Sequence, residues 1–319
     1  MVGIESPIDD FIDRVGFRTV SISGQKLLVN GKEVKLRGFN RHEDHPAFGA
    51  AIPFQQMVND LELMIDMNSN IVRTCHYPND ERFLDLCDEK GIFVWEENHA
   101  RGLSFAKMQN PNFVKQCEDC NREMVQYHFN HPSIIIWGIL NECCSFTEEG
   151  RVYYKEQLEQ IRSMDQSRPL TFASCHPFKD MCLDLVDIVS FNIYSGWYNS
   201  SDTNEHYENF YEWAQTAGGA NKPYIVSEFG GAAIYGLREP TRVKWTEERQ
   251  ADILEDNLSV YCNRPEVVGA IIWQFCDCRV TEEGEFYKTR PGTRNNKGVV
   301  DKYRRPKLSY YTVQKWFKG

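Results

Sequence analysis

The sequence has no long apolar run and no excess of positive charge. Its longest apolar stretch, residues 134–140 (IIIWGIL), has the length of a strand and is far too short to span a membrane. The 319 residues carry a formal net charge of −10 and no basic stripe, which argues against a nucleic-acid partner. No charged-then-apolar leader opens the chain, so we expect no membrane association and no secretion of this form.

The sequence also lacks a disulfide framework. Its 11 cysteines are odd in number and scattered along a chain without a signal peptide, a pattern that favours a reducing cytoplasm. Cys117 and Cys120 form a single CxxC inside a helical pattern, with no second pair. We therefore expect these two side chains to pack on a helix face rather than to bind zinc.

What the sequence does contain is a regular alternation of strand and helix patterns. A hairpin signal, Asn30-Gly31, joins the first strand patterns, and helical spacing of apolar residues marks 79–91, 148–164 and 246–262. Residues 195–222 are predicted to form a long polar connection. Eight segments have short, mostly β-branched strand patterns: Val34–Asn40, Ser69–Thr74, Ile92–Glu96, Ile134–Asn141, Leu170–Ser174, Ile188–Asn192, Tyr224–Glu228 and Val267–Gln274.

This alternation predicts an α/β fold of the (β/α)8 TIM barrel type, since each of the eight strands is followed by a helix or a long loop. A doubly wound sheet is the alternative. It needs a glycine-rich phosphate turn after the first strand, and residues 37–46 (RGFNRHEDHP) do not supply one.

Polar residues gather at the ends of the predicted strands, where a barrel places its chemistry. Glu142 and Glu228 each follow a strand of nearly unbroken apolar residues. They belong to the fourth and seventh strands, so their side chains can face each other across the mouth. Two carboxylates that flank a pocket are what glycoside hydrolysis requires, one as a proton donor and the other as nucleophile or base.

The histidines permit a second interpretation, a metal centre of the amidohydrolase kind. That class has an HxH motif on its first strand, whereas this chain has HEDH after the strand. Sugar-binding residues at a barrel mouth explain the same side chains, so we expect no metal. The residues concerned are His42, Glu43, Asp44, His45, His76, His99 and His176.

Six stretches, in order, resemble glycoside hydrolase family 2, which includes β-glucuronidases and β-galactosidases. They are LRGFNRHEDHPAFG, IVRTCHYPND, LCDEKGIFVWEE, NHPSIIIWGILNE, KPYIVSEFGG and IIWQFCD. The resemblance implies a retaining mechanism on a (β/α)8 barrel, with no cofactor and a carbohydrate as the substrate. One departure is Cys143-Cys144, which stands where family members usually carry a proline after the acid/base.

The resemblance also implies roles for individual residues. Glu142 resembles the general acid/base, Glu228 the nucleophile, and Asn141 the asparagine that binds the sugar 2-hydroxyl. Further residues that match positions lining the family's pocket are Asp44, His76, Tyr194, Tyr198 and Trp273.

Asn295 and Lys297 resemble the Asn-x-Lys motif that distinguishes β-glucuronidases within this family. The resemblance implies that they hold the C6 carboxylate of a glucuronic acid unit. The leading hypothesis is therefore a retaining exo-β-glucuronidase that acts on terminal β-D-glucuronides. The alternatives are a β-galacturonidase, a β-galactosidase, or a carbohydrate-binding barrel without turnover.

Family members place a sugar-binding β-sandwich and an immunoglobulin-like domain before the barrel. The resemblance implies that residues 1–20 are a short β-hairpin remnant of that second domain and that residues 21–319 form the catalytic barrel. We accordingly expect a barrel-only form of such an enzyme, and a homo-oligomer stays open.

Overall fold

Eight parallel strands form a closed barrel at the centre of the protein. The computed structural model describes residues 2–5, 10–281 and 289–318. The barrel strands are β6 (Leu36–Arg41), β7 (Ile71–Thr74), β8 (Phe93–Glu97), β9 (Ile134–Ile139), β10 (Leu170–Ser174), β11 (Val189–Asn192), β12 (Tyr224–Glu228) and β13 (Val267–Ile272). They pair in chain order, and β13 closes on β6. The predicted (β/α)8 barrel is confirmed, and all eight predicted strands are present.

Helices surround the barrel. They are α1 (Phe54–Asp66), α2 (Glu81–Lys90), α3 (Phe105–Met108), α4 (Pro111–His128), α5 (Glu148–Met164), α6 (Thr203–Ala214), α7 (Glu247–Tyr261) and α8 (Leu308–Phe317). A π-helical turn at Gln215–Gly219 follows α6, and a 3-10 turn occupies Pro291–Thr293. None of the helices in the described ranges is both long and apolar enough to span a bilayer.

Local sequence signals account for the helix ends. In α2 the Asp80 side chain accepts a hydrogen bond from the Arg82 N–H, and Gly91 ends the helix in the left-handed region at φ 70°. The predicted helices at 79–91, 148–164 and 246–262 are confirmed as α2, α5 and α7. The predicted polar connection at 195–222 was wrong for its central part, because α6 begins there with Asp202 as its cap.

A small antiparallel sheet covers the amino-terminal end of the barrel. It consists of β3 (Val20–Ser23), β4 (Lys26–Val29) and β5 (Lys32–Glu33). The predicted turn at Asn30-Gly31 joins β4 to β5 with positive φ at both residues, 51° and 73°. Leu27 and Val29 pack into the apolar cluster that fills the barrel interior at this end. The sheet therefore seals the end of the barrel opposite the strand carboxyl ends.

Two further strand pairs lie outside the barrel. At the N-terminus, β1 (Val2–Glu5) pairs antiparallel with β2 (Asp10–Asp13), which is consistent with the predicted remnant of a preceding domain. Near the C-terminus, β14 (Cys278–Arg279) pairs antiparallel with β15 (Arg294–Asn295). This second pair brings the segment that contains Lys297 to the carboxyl end of the barrel.

Candidate active site

A pocket of about 1080 Å³ opens at the carboxyl ends of the barrel strands. All the site residues predicted from the sequence line it. They are Asp44, His76, Asn141, Glu142, Tyr194, Tyr198, Glu228, Trp273, Asn295 and Lys297. This is the end of a parallel barrel at which active sites lie.

Glu142 stands on a sharply bent segment after β9. Leu140 and Glu142 both have positive φ, 45° and 51°, which is an uncommon conformation for residues other than glycine. The Glu142 N–H donates to the Ala173 carbonyl at 2.9 Å, which fixes the bend against β10. The Asn192 side-chain amide donates to Glu142 Oε1 at 2.7 Å. Glu142 is half-buried, so one carboxylate is both oriented by a neighbour and open to the pocket.

Glu228 is the last residue of β12 and is held from two sides. Its carboxylate accepts hydrogen bonds from Arg73 Nη1 at 3.0 Å and from the Tyr194 hydroxyl at 2.7 Å. Burial and, after it, the negative charge of Glu142 raise the pKa of Glu228 to about 8, against the opposing effects of Arg73 and Tyr194. The two predicted carboxylates are therefore close enough to influence each other.

Arg73 lies at the centre of the site, in contact with Glu228, and is fully buried. Its guanidinium binds Glu97 in a bidentate pair with both contacts at 2.9 Å. It also donates to the side-chain oxygens of Asn40 at 2.9 Å and Asn141 at 2.7 Å. One cation thus links side chains from three other barrel strands and the residue before Glu142, which makes the floor of the pocket rigid.

Four further residues lie at the centre of the site and were not among the predicted site residues: Asn40, Arg73, Glu97 and Asn192. Each is a polar residue inside or at the end of an otherwise buried strand, and this is the signal by which the sequence shows them. What the sequence does not show is which partner each of them binds.

Aromatic and histidine side chains form one wall. The His76 ring stacks on Trp273 at 5.2 Å between centroids, and His76 Nδ1 lies 2.6 Å from Glu97 Oε1. Burial lowers the pKa of His76, and the positive charge of Arg73 lowers it further. Asp44 lies at the pocket edge, where its carboxylate accepts a hydrogen bond from the Arg279 N–H at 3.0 Å.

Lys297 is a buried cation, with only 4% of its surface exposed. Its ammonium donates to the Tyr198 hydroxyl at 2.8 Å and lies 4.7–5.5 Å from the ring centroids of Tyr194, Trp197 and Tyr198. In the part of the chain that the structure describes, no carboxylate forms an ion pair with it. Burial lowers the pKa of Lys297 to about 7, and the positive charge of Arg290 lowers it further.

Buried contacts hold the segment that carries Lys297. Gly298 passes so close to the neighbouring backbone that a Cβ atom there would lie 2.2 Å from the Asp277 nitrogen. Asp277 accepts hydrogen bonds from the Gly298 N–H at 2.9 Å and from the Lys307 ammonium at 2.8 Å. The Asn295 amide oxygen can accept from Trp273 Nε1 and Arg290 Nη1, both at 2.9 Å. The position of Lys297 is therefore imposed by its surroundings.

The histidines of the metal alternative do not come together as ligands within the described ranges. Among the described residues, the group whose side-chain atoms lie close enough together to hold a metal ion is Asp85, Asp88 and His131, at the opposite end of the barrel. Asp88 already bonds His131 Nδ1 at 2.7 Å and the Ser133 N–H at 2.9 Å. These two hydrogen bonds give the Asp88 carboxylate a structural role that requires no metal ion.

The closed parallel barrel carries two carboxylates, Glu142 and Glu228, at the end where active sites lie. Residues 20–319 match the family model described as glycosyl hydrolases family 2, TIM barrel domain, and the chain belongs to that family.

The chain is similar to several proteins of known name. It is 52% identical to the GH2 β-galacturonidase from Eisenbergiella tayi, solved bound to galacturonate, with a TM-score of 0.95 over 97% of this chain and 55% of that one. It is 32% identical to Ruminococcus gnavus β-glucuronidase, with a TM-score of 0.89 over 97% and 54%. Human β-glucuronidase is 31% identical, over 97% of this chain and 48% of its own. The chain thus spans about half the length of these relatives.

Proposed function

We propose that this chain is the catalytic barrel of a retaining exo-β-D-uronidase. The observation that carries the proposal is the buried ammonium of Lys297, which has no carboxylate partner among the described residues and lies in the same pocket as Glu142 and Glu228. A buried ammonium without a carboxylate partner is unfavourable unless a ligand supplies the anion. The C6 carboxylate of a uronic acid unit is such an anion, whereas the neutral C6 group of a galactoside is not.

The environments of the two carboxylates support different roles. Glu228 is 4% exposed and fixed by Arg73 and Tyr194, as suits a nucleophile that must attack from one position. Glu142 is more open and has Asn192 as its donor, as suits a group that meets the leaving oxygen first and water later.

The reaction then has two displacements. Glu142 protonates the glycosidic oxygen while a Glu228 oxygen attacks C1, so the leaving group departs as an alcohol and a glycosyl ester forms. Glu142, now ionised, takes a proton from a water molecule that attacks C1. The ester breaks, Glu228 regains its charge, and the sugar leaves with its original β configuration.

Neighbouring side chains complete the proposed sugar site. Asn141 is placed to bind the sugar 2-hydroxyl, because it immediately precedes Glu142 and its oxygen is fixed by Arg73. Lys297 and Asn295 are proposed to hold the C6 carboxylate, with Tyr198 beside them. The remaining proposed contacts line the same pocket: Asp44, His76, Tyr194 and Trp273.

Two uronic acids, which are epimers at C4, are candidates for the sugar. The 52% identity to a β-galacturonidase solved with galacturonate favours galacturonide as the preferred sugar. The Asn-x-Lys motif and the relatives named β-glucuronidase, at about 30% identity, favour glucuronide, which is also the leading hypothesis from the sequence.

The eleven cysteines all stay free, which supports the prediction of a reducing, cytoplasmic location.

Three matched 4-nitrophenyl substrates test this proposal on the 319-residue chain: a β-galacturonide, a β-glucuronide and a β-galactoside. We expect a uronide to be cleaved best, with its β anomer as the first product by NMR. Glu228→Gln should reduce hydrolysis to background, while the exposed control Glu118→Gln on α4 should not. An α anomer as first product refutes the retaining mechanism, and a preference for the galactoside refutes the uronide. Binding without turnover, unchanged by Glu228→Gln, identifies a carbohydrate-binding barrel instead.

A further inference from the structure

Two cations line the side of the pocket opposite Lys297. Arg101 lies in the loop that follows β8, and Lys107 lies on α3 in the same loop. Both side chains are exposed, and neither forms an ion pair with a carboxylate in the described part of the chain. The protein has a net charge of −10, yet this wall of the pocket carries two cations without a carboxylate partner among the described residues, and such a wall attracts an anionic ligand.

The backbone fixes Arg101 beside the proposed acid/base. Residue 101 forms a parallel bridge with Asn141, and the Gly102 N–H donates to the Asn141 carbonyl at 2.8 Å. The buried Asn98 side chain accepts from the Leu140 N–H at 3.1 Å and ties the two segments together below that bridge. The backbone of Arg101 is therefore held beside Asn141, the residue that precedes Glu142.

The charge of Arg101 reaches the pocket interior. Burial lowers the pKa of the pocket histidine His42, and the positive charges of His76 and then Arg101 lower it further. The pKa of His76 is also lowered by Arg101, after burial and Arg73. The guanidinium is thus close enough to act on groups at the floor of the pocket, so a ligand in that space would feel the same field.

The barrel order separates the two cationic regions. The strands run β6 to β13 around the closed barrel, so β9, which leads to Glu142, lies opposite β13, which leads to Lys297. If Lys297 binds the carboxylate of the sugar, the group that Glu142 protonates lies on the side of Arg101 and Lys107. Leu103 and Pro177 line the same side and offer apolar surface for a ring.

We propose that Arg101 and Lys107 form an anion subsite for the leaving group, so that the preferred substrate carries a carboxylate on the group released from the uronide. An acidic oligosaccharide that ends in a β-linked uronic acid unit has this chemistry. The inference rests on the proposed uronidase function and adds the class of leaving group to it. Arg101 and Lys107 determine specificity in this account and take no part in the bond changes.

The test uses two aryl uronides that differ at one group, a 4-carboxyphenyl and a 4-carbamoylphenyl glycoside of the preferred uronic acid. The carboxamide has nearly the shape of the carboxylate and no charge. The quantity measured is the ratio of kcat/KM for the carboxylate to kcat/KM for the carboxamide, in wild type and in Arg101→Gln/Lys107→Gln. Comparing variants cancels the intrinsic difference between the two leaving groups.

We expect the ratio to fall roughly five- to tenfold in the double variant, because each exposed charge contact changes affinity by a small factor. Arg101→Lys should retain most of the ratio. The control Lys115→Gln removes an exposed α4 cation that pairs with Asp119, and it should leave the ratio unchanged. Raising the ionic strength from about 0.02 M to 0.5 M should lower the wild-type ratio, because salt screens exposed charges, and should leave the ratio of the double variant unchanged.

A ratio that is equal in wild type and the double variant overturns the proposal, as does an equal fall in the Lys115→Gln control. The dissociation constants of the two aryl uronides for the Glu228→Gln variant distinguish a failure of the anion subsite from a failure of the proposed uronidase function. If the ratio of dissociation constants there depends on Arg101 and Lys107, the subsite exists even without turnover. If the carbamoylphenyl uronide is hydrolysed but neither ratio depends on them, the uronidase stands and the subsite is wrong.

Discussion

Replacing Lys297 with methionine should make the protein more stable and the enzyme less active. Lys297 is 4% exposed and has the neutral Tyr198 hydroxyl as its hydrogen-bond partner. The folded state lowers its pKa from 10.5 to about 7, while the unfolded chain keeps the proton up to the ordinary value. Stability therefore rises with pH between about 7 and 10.5, and the whole penalty is present below pH 7.

The difference between the two pKa values of Lys297, 10.5 and about 7, corresponds to a loss of roughly 4–5 kcal/mol in the free energy of unfolding if the surrounding structure does not relax. Relaxation around the ammonium reduces it, so we expect Lys297→Met to gain roughly 2–4 kcal/mol at pH 6. Methionine keeps the apolar stem, and the half-exposed Tyr198 hydroxyl can bind water instead. For a chain of this size the gain corresponds to a rise of roughly 4–12 °C in Tm.

Thermal unfolding at pH 6, 7.5 and 9 measures the effect, with hydrolysis of the preferred uronide measured in parallel. The gain in Tm should shrink as the pH rises, and kcat/KM should fall roughly 10- to 100-fold through loss of the charge-assisted contact. Lys244→Met is the matched control, because Lys244 also lies over the Trp197 ring, at 4.3 Å, but is exposed. A lower Tm at pH 6, or a gain independent of pH, would show that Lys297 is not an uncompensated buried charge.

Two further outcomes follow from the buried network beneath the pocket. Burial, with the charge of Glu142, raises the pKa of Glu228 to about 8, so this group does not lower the free energy of unfolding below about pH 4.5, lowers it progressively between about 4.5 and 8, and lowers it fully above that range. Glu228→Gln should therefore raise Tm more at pH 8.5 than at pH 5, and an equal gain at both would contradict the raised pKa. Arg73→Gln should reduce the free energy of unfolding by roughly 3–5 kcal/mol, because it leaves Glu97 and Glu228 buried without their cation. In urea unfolding, the double variant Arg73→Gln/Glu97→Gln should recover part of that loss; if it is less stable than the single variant, the unpaired carboxylate is not the cause.

The barrel could be predicted because each strand has its own local signal. Leu170–Ser174 and Tyr224–Glu228 are strand-length segments that are mostly apolar and end in a polar residue, and the structure gives both of them the predicted bounds. The polar residues at the strand ends were visible in the same way. The segment 195–222 was predicted less well, because its polar composition hid the helical periodicity of α6 behind the cap Asp202.

Pairings within the site could not be predicted, because they join residues far apart in the chain. Arg73 and Glu228 are separated by 155 positions, and their contact depends on the barrel closing between β13 and β6. The burial of a side chain also depends on residues far apart in the chain and could not be predicted for the same reason. The sequence predicts that Lys297 belongs to a substrate-binding motif, but its low pKa arises from Tyr194, Trp197 and Tyr198 around it and from the charge of Arg290.

Lys297 and Glu228, two groups of opposite sign, both lie in surroundings that disfavour their charged forms. Lys297 has no counterion in the described chain, and Glu228 is buried beside a second carboxylate. In the proposed reaction a uronide relieves both: its C6 carboxylate pairs with Lys297, and attack on C1 removes the charge of Glu228. A neutral sugar could relieve only the second. On the proposed function, the free energy needed to bury Lys297 becomes selectivity for uronic acids over neutral sugars.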